Sequence, residues 1–247
     1  MSVYYLCSGF GIEHSFNNKF GELLAKDLKQ RNSLVVIPGV ENVDDIETHV
    51  SFFIEQLAEA GIVFEKHMIL SKTISQVEQC AYIKNADLIY FMGGYPFAQR
   101  DFIEDNKLRD ILQKYSGVVL GISAGAMNMS KYIIMVTDGE NSDKIRIEEG
   151  LGLVDFSVYP HCAFSGDMFA PSFYVGSDFV DSEKLLSASE NKGDVYFLQN
   201  KTDTDTLKIS FIRVKDGKKE FVSMFEGRVW KASSAGYELI KEYVLFN

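Results

Sequence analysis

The chemistry in this 247-residue sequence centres on a serine between two glycines, Gly121-Ile122-Ser123-Ala124-Gly125, directly after the wholly apolar run 117–122. A serine hydroxyl works as a nucleophile when it sits on a sharp strand-to-helix turn, where small neighbours let the two elements approach without clash. The hydroxyl then projects at the carboxyl end of the sheet, beside a helix N-terminus that favours negative charge. The alternative is a plain tight turn whose serine caps the helix. A nucleophilic serine needs a base, and the sequence offers four histidines. His14 falls in the loop after the first β-like run, His49 on an acid-rich helical stretch, and His67 inside a β-like run. All three read as ordinary surface or core residues. His161 follows Ser157-Val158-Tyr159-Pro160, where a short apolar strand is expected to end. Strand ends are where α/β sheets place ligand-facing groups, so His161 is the candidate base.

The third partner is an acid that orients the imidazole. Asp138 follows the β-like run 132–137 and precedes Gly139, at a strand-to-turn junction; Glu140, two residues on, is its rival. Spacing alone does not decide between them. A second cluster, Gly93-Gly94-Tyr95-Pro96, follows the apolar run 87–92. Paired glycines there allow unusual φ and a close approach of backbone amides to a ligand. The amides of Gly93 and Gly94, with that of Ala124, are the candidates for an oxyanion hole. Read plainly, the same glycines make a simple turn.

The elements that must hold these residues alternate in period. Strands are expected over 3–8, 33–37, 63–70, 87–92 and 117–122, and helices over 17–30, 43–60, 74–85 and 97–115. The strands at 87–92 and 117–122 are continuous apolar runs, as in parallel sheets covered by helices on both faces. The βαβα order predicts a doubly wound, mostly parallel α/β sheet, with the strands ending at Met92 and Ile122 as parallel neighbours. Past Gly125 the strands shorten between turns such as Asp138-Gly139 and Asp216-Gly217, and 194–238 reads as an antiparallel extension of one sheet edge. No Pro-, Gly- or Ser-rich linker interrupts 1–247, so a single domain is expected.

Composition sets the outer limits. A content of 46% hydrophobic and 24% charged residues supports a packed core. The formal net charge of −10 argues against a nucleic-acid or anionic-membrane surface, since both need clustered Lys and Arg. The first residues lack a signal-peptide pattern, and no apolar run approaches a membrane span. Cys7, Cys80 and Cys162 are odd in number and far apart, which reads as reduced thiols in a cytoplasmic protein without a zinc site.

Together these motifs resemble peptidase family S51, which includes dipeptidase E and cyanophycinase. The resemblance rests on the strand before Gly93-Gly94, the Gly121-to-Ala126 elbow and the acid in Val136-Thr137-Asp138. It also rests on Gly150-Leu151-Gly152-Leu153 ahead of Tyr159-Pro160-His161, and on the order Ser, acid, His. It implies a fold similar to class I glutamine amidotransferases, with serine where those enzymes carry cysteine. Ser123 is then the nucleophile, His161 the general base and Asp138 the orienting acid, with Gly94 and Ala124 supplying oxyanion amides. No metal or organic cofactor is implied. The chain departs from the pattern in carrying Tyr95-Pro96 after the glycines, a ring that either narrows the pocket or stacks on a substrate. The stretch 162–167 also lacks any Arg or Lys to pair with an aspartyl substrate, which leaves Arg100, Lys131 or Arg146 to supply that cation.

The expected function is a serine peptidase that hydrolyses short peptides, dipeptidase E-like, through an acyl-enzyme on Ser123. An esterase or amidase acting on a non-peptide substrate, and a catalytically silent binding protein of the same fold, are the competing readings. Neither nucleic acid nor membrane is an expected partner, and a homodimer is compatible with the sequence.

Overall fold

The computed structural model describes residues 2–10, 16, 18–40, 43–136, 145–165, 172–175, 178–180, 186–187, 190, 192–199, 209–224, 227–233 and 236–242. Its first half alternates strand and helix: β1 (Val3–Cys7), α1 (Lys19–Asp27), β2 (Ser33–Gly39), α2 (Val43–Glu59), β3 (Lys66–Ile69), α3 (Gln76–Lys84) and β4 (Leu88–Gly94). Then follow α4 (Pro96–Asp105), α5 (Arg109–Lys114), β5 (Val118–Ile122) and α6 (Ala124–Met129). The remainder is strand: β6 (Tyr132–Val136), β7 (Ile145–Glu149), β8 (Ser157–Ser165), β9 (Ser172–Val175), β10 (Asp178–Val180), β11 (Val195–Gln199), β12 (Ile209–Lys215), β13 (Lys218–Met224), β14 (Arg228–Ser233) and β15 (Gly236–Glu242).

A seven-stranded sheet runs in the order β13-β12-β1-β5-β4-β2-β3. Its five strands β1 to β5 are mutually parallel, and β4 and β5 are neighbours as expected. Strands β12 and β13 close one edge in the antiparallel sense, joined at Asp216-Gly217, where both residues have positive φ. Side chains alternate across this sheet with period two. Leu6, Val35, Ile37, Ile89, Phe91 and Val119 face one core, which α3 to α6 cover. Tyr5, Cys7, Leu34, Val36, Tyr90 and Leu120 face the other, which α1 and α2 cover. Burial on both faces is why these strands carry almost no polar residue.

The structure departs from the expected elements at several points. The helix expected over 97–115 is two helices. Asn106 caps α4, Lys107 takes a left-handed φ of 54°, and the turn delivers Leu108, fully buried, into the core. Continuous helical periodicity concealed the break. Strand β4 runs through Gly93-Gly94 where it was expected to stop at Met92. The C-terminal extension divides: β12 and β13 join the first sheet, while β11, β14 and β15 enter a second, six-stranded sheet in the order β10-β9-β8-β11-β14-β15. Val158, Tyr196, Leu198 and Val229 of this second sheet pack in the same core cluster as Leu6 and Val119 of the first. Among the described residues, no helix is long and apolar enough to cross a membrane.

Candidate active site

Ser123 lies at the carboxyl end of β5, flanked in the sheet by β1 and β4. Its backbone sits at φ 54°, ψ −115°, a sparsely populated region that persists only where the surroundings enforce it. Three contacts enforce it. The Ser123 amide donates to the Cys7 carbonyl at 2.9 Å, and the Ser123 carbonyl accepts from the Met127 amide at 3.1 Å. Gly125 lets α6 lie directly on β4, since a Cβ there would stand 2.1 Å from the Phe91 carbonyl oxygen. The Ser123 side chain makes no capping bond to α6, so the plain-cap alternative does not describe this turn. Its Oγ instead lies 2.6 Å from Nε2 of His161.

His161 reaches that position by a route the sequence did not show. Strand β8 does not end at Pro160 but continues to Ser165. Against β11 the register runs Phe197↔Tyr159 and then Gln199↔Cys162, so β8 carries one extra residue between those pairs. This is a β-bulge, and His161 within it has a φ of 59°. A bulge re-aims a side chain that regular alternation would send elsewhere. The His161 amide, freed from the ladder, donates to Oγ of the fully buried Ser8 at 2.9 Å, and Ser8 Oγ donates to the Leu198 carbonyl at 3.0 Å. Consecutive residues at the end of β1 thus hold both partners: Cys7 binds the Ser123 backbone and Ser8 binds the His161 backbone. Nothing marked Ser8 in the sequence, because its role depends on two strands distant in the chain.

The glycine cluster faces the same point. A Cβ on Gly93 would lie 3.6 Å from the Ser123 Cβ. Gly94 has φ 133°, and a Cβ there would lie 2.3 Å from the Gly39 carbonyl oxygen, so β2 and β4 meet there too closely for a side chain. The Tyr95 amide anchors this loop to the Gly39 carbonyl at 2.7 Å. Burial pushes the Tyr90 hydroxyl well up, the neighbouring Cys7 adds to this, and a hydrogen bond from the Gly93 backbone opposes it. Behind the loop, the buried Gln99 Nε2 donates to the carbonyls of Ile37 and Met92, and the buried Asn128 Nδ2 donates to Gln99 Oε1 and the Pro96 carbonyl. These amides tie β2, β4, α4 and α6 together at the functional end of the sheet.

Ser123 and His161 stand between two hollows. The larger, about 590 Å³, is walled by Phe10, Phe16, Phe52, Phe53, Tyr90 and Met92, with Gly93, Gly94, Thr48 and His49 also on its surface. The smaller, about 130 Å³, is formed by Gly94, Pro96, Ala124, Met127, Met135, Tyr159 and Pro160. His49, read from the sequence as an ordinary helix residue, therefore borders the site; its Nδ1 and the Asp45 carbonyl lie 2.6 Å apart. Tyr95 is 69% exposed and lines neither hollow, so its ring does not narrow them. Nor do the cations considered for an acidic substrate. Arg100 pairs with Asp101 and Glu148, Arg146 pairs with Glu148 and lies over the Phe97 ring, and Lys131 lies over Tyr132. Burial pushes the Cys7 and Cys162 thiols well up, so neither is a ready thiolate, although Cys162 adjoins His161. Asp138, Glu140 and His14 lie outside the described residues.

Sheet order, elbow and histidine bulge define a doubly wound α/β protein with a strained serine at the centre of its functional edge. The chain belongs to peptidase family S51, whose family model matches residues 6–202, and that makes it a hydrolase of the peptidase class. Among solved structures it is similar to a peptidase from an acI-B1 Actinobacterium, with 16% identity and a TM-score of 0.67 over 99% of this chain and 97% of that one. It is also similar to a candidate peptidase E protein from Listeria monocytogenes EGD-e, with 17% identity and a TM-score of 0.58 over 91% of this chain and 99% of that one. At such identities the likeness is one of fold. No curated protein matches the chain in sequence.

Proposed function

We propose that the chain is a serine peptidase of short peptides that works through an acyl-enzyme on Ser123. The observation carrying this reading is the 2.6 Å approach of Ser123 Oγ to His161 Nε2, made by a serine on a strained elbow and a histidine on a bulge. In the first half-reaction Oγ bonds to the scissile carbonyl carbon while Nε2 takes the hydroxyl proton. The carbonyl oxygen, now an anion, is met by the amides of Gly94 and Ala124. As the C–N bond breaks, the imidazolium passes its proton to the leaving amine. Water then adds to the acyl carbon by the same route in reverse and releases Ser123. Asp138 is the acid we assign to hold the imidazole, with Glu140 as the alternative, and the cytoplasm is the proposed location.

A fluorophosphonate probe tests this directly, because it phosphonylates only an activated serine. Wild-type protein should take up one equivalent, mapped by peptide mass spectrometry to Ser123, and Ser123→Ala should take up none. An unlabelled wild type, or label on another serine, would sink the assignment.

A further inference from the structure

The larger hollow at Ser123 has a chemistry of its own. Five aromatic side chains wall it, Phe10, Phe16, Phe52, Phe53 and Tyr90, and the rings of Phe53 and Tyr90 stack with centroids 3.8 Å apart. Among the described residues its lining contains no Lys or Arg. The chain as a whole carries a net charge of −10. An acidic side chain entering here would lose its hydration among five aromatic rings and would meet no Lys or Arg among the described lining residues, only the imidazoles of His49 and His161, which is a costly setting for a carboxylate. An apolar ring would exchange water for apolar contact on several sides.

We infer that this hollow receives a large apolar side chain, aromatic or branched aliphatic, of the residue that acylates Ser123, and that Phe52 sets this preference. The inference rests on the serine peptidase reading and deepens it. The carbonyl under attack must lie between Ser123 Oγ and the amides of Gly94 and Ala124, so the side chain beside it enters an adjoining hollow. Only the larger one, about 590 Å³ against about 130 Å³, has room for a bulky group. Phe53, its neighbour in the helix, is packed in the core beneath the sheet, whereas Phe52 stands outside that cluster and is half-buried. Its ring is therefore available to a ligand, and it can be replaced without opening the core. Thr48 and Phe52 are four residues apart on α2 and so share one face of the helix at the hollow.

Diphenyl esters of 1-aminoalkyl phosphonates give a test that does not depend on turnover, since each carries an amino-acid side chain and bonds covalently to an activated serine. Inactivation rates would be measured for the phenylalanine, leucine and aspartate analogues by intact-protein mass spectrometry, beside a side-chain-free fluorophosphonate. We expect the phenylalanine or leucine analogue to react about 100-fold faster than the aspartate analogue, the order of one buried side chain. Phe52→Ala should cut the rate for the phenylalanine analogue about tenfold more than it changes the fluorophosphonate rate. Phe52→Arg should raise the aspartate rate and lower the phenylalanine rate together. An aspartate analogue as fast as the others, Phe52 variants that change nothing, or labelling by fluorophosphonate alone would each overturn the inference while leaving the serine assignment standing. Absence of fluorophosphonate labelling would instead overturn the serine reading, and the inference with it.

Discussion

Replacing Ser123 with alanine and with glycine separates the chemistry of its hydroxyl from the strain of its backbone. Both variants remove the contact between Oγ and His161, so both should lose fluorophosphonate labelling. They differ in the Cβ atom, which is what makes φ 54°, ψ −115° costly. Holding a residue with a Cβ in such a region costs about 1–3 kcal/mol, which alanine retains and glycine sheds. Against this, glycine loses about 0.5–1 kcal/mol more backbone entropy on folding. Removing a half-buried carbon forfeits about 0.4 kcal/mol more, half the value of a fully buried methylene. With mid-range strain, Ser123→Gly should be more stable than Ser123→Ala by about 1 kcal/mol, or about 2–4 °C in Tm for a chain of this length. Urea titrations and thermal melts of the two purified variants give the comparison. Equal stability, or a more stable alanine variant, would show that the elbow stores no strain and that its geometry has another cause.

Asp138→Asn should lower kcat by about 10⁴ while Glu140→Gln costs little, as expected when the acid that orients a triad histidine is lost; parallel steady-state kinetics would reverse the assignment if only the Glu140 variant collapsed. Ser8→Ala removes the acceptor for the His161 amide and the hydroxyl that donates to the Leu198 carbonyl, so kcat should fall about 10–100-fold from a displaced imidazole, with KM nearly unchanged. A Ser8 variant with unaltered kcat would mean that the bulge holds its shape unaided. Away from the site, the fully buried Asp27 carboxylate accepts from Tyr5, Arg213 and Lys215. Burial pushes its carboxyl up, but those bonds, Arg213 first, outweigh burial and bring it from 3.8 to about 2. A depressed carboxyl stabilises the fold above its unfolded value, and that stability drains away as pH falls through the folded one. About 2 kcal/mol should therefore be lost between about pH 5 and pH 2, a loss that Asp27→Asn, less stable at neutral pH, should not show in acid urea titrations.

Features that depend on neighbours along the chain were legible in the residues alone. Unbroken apolar runs at 88–92 and 118–122 required strands buried on both faces, and the small residues around Ser123 required a turn tight enough for α6 to pack on β4. The pairing of β4 with β5 followed from a single intervening helical segment and the handedness of crossovers. Periodicity could not show the break at Lys107, since Leu108 and Leu112 continue an apolar pattern whether or not the helix does. The second sheet was hidden for a related reason: short antiparallel strands carry no mark of which edge they will join. How His161 reaches Ser123 emerges only once the strands are paired, because its aim depends on one extra residue in β8 measured against β11, and a bulge exists only relative to a partner strand. Ser8 and His49 belong to the same class. Their places at the site come from the end of β1 meeting β8, and from α2 lying across the functional edge, contacts between residues more than a hundred positions apart for Ser8 and about seventy for His49, which local spacing does not encode.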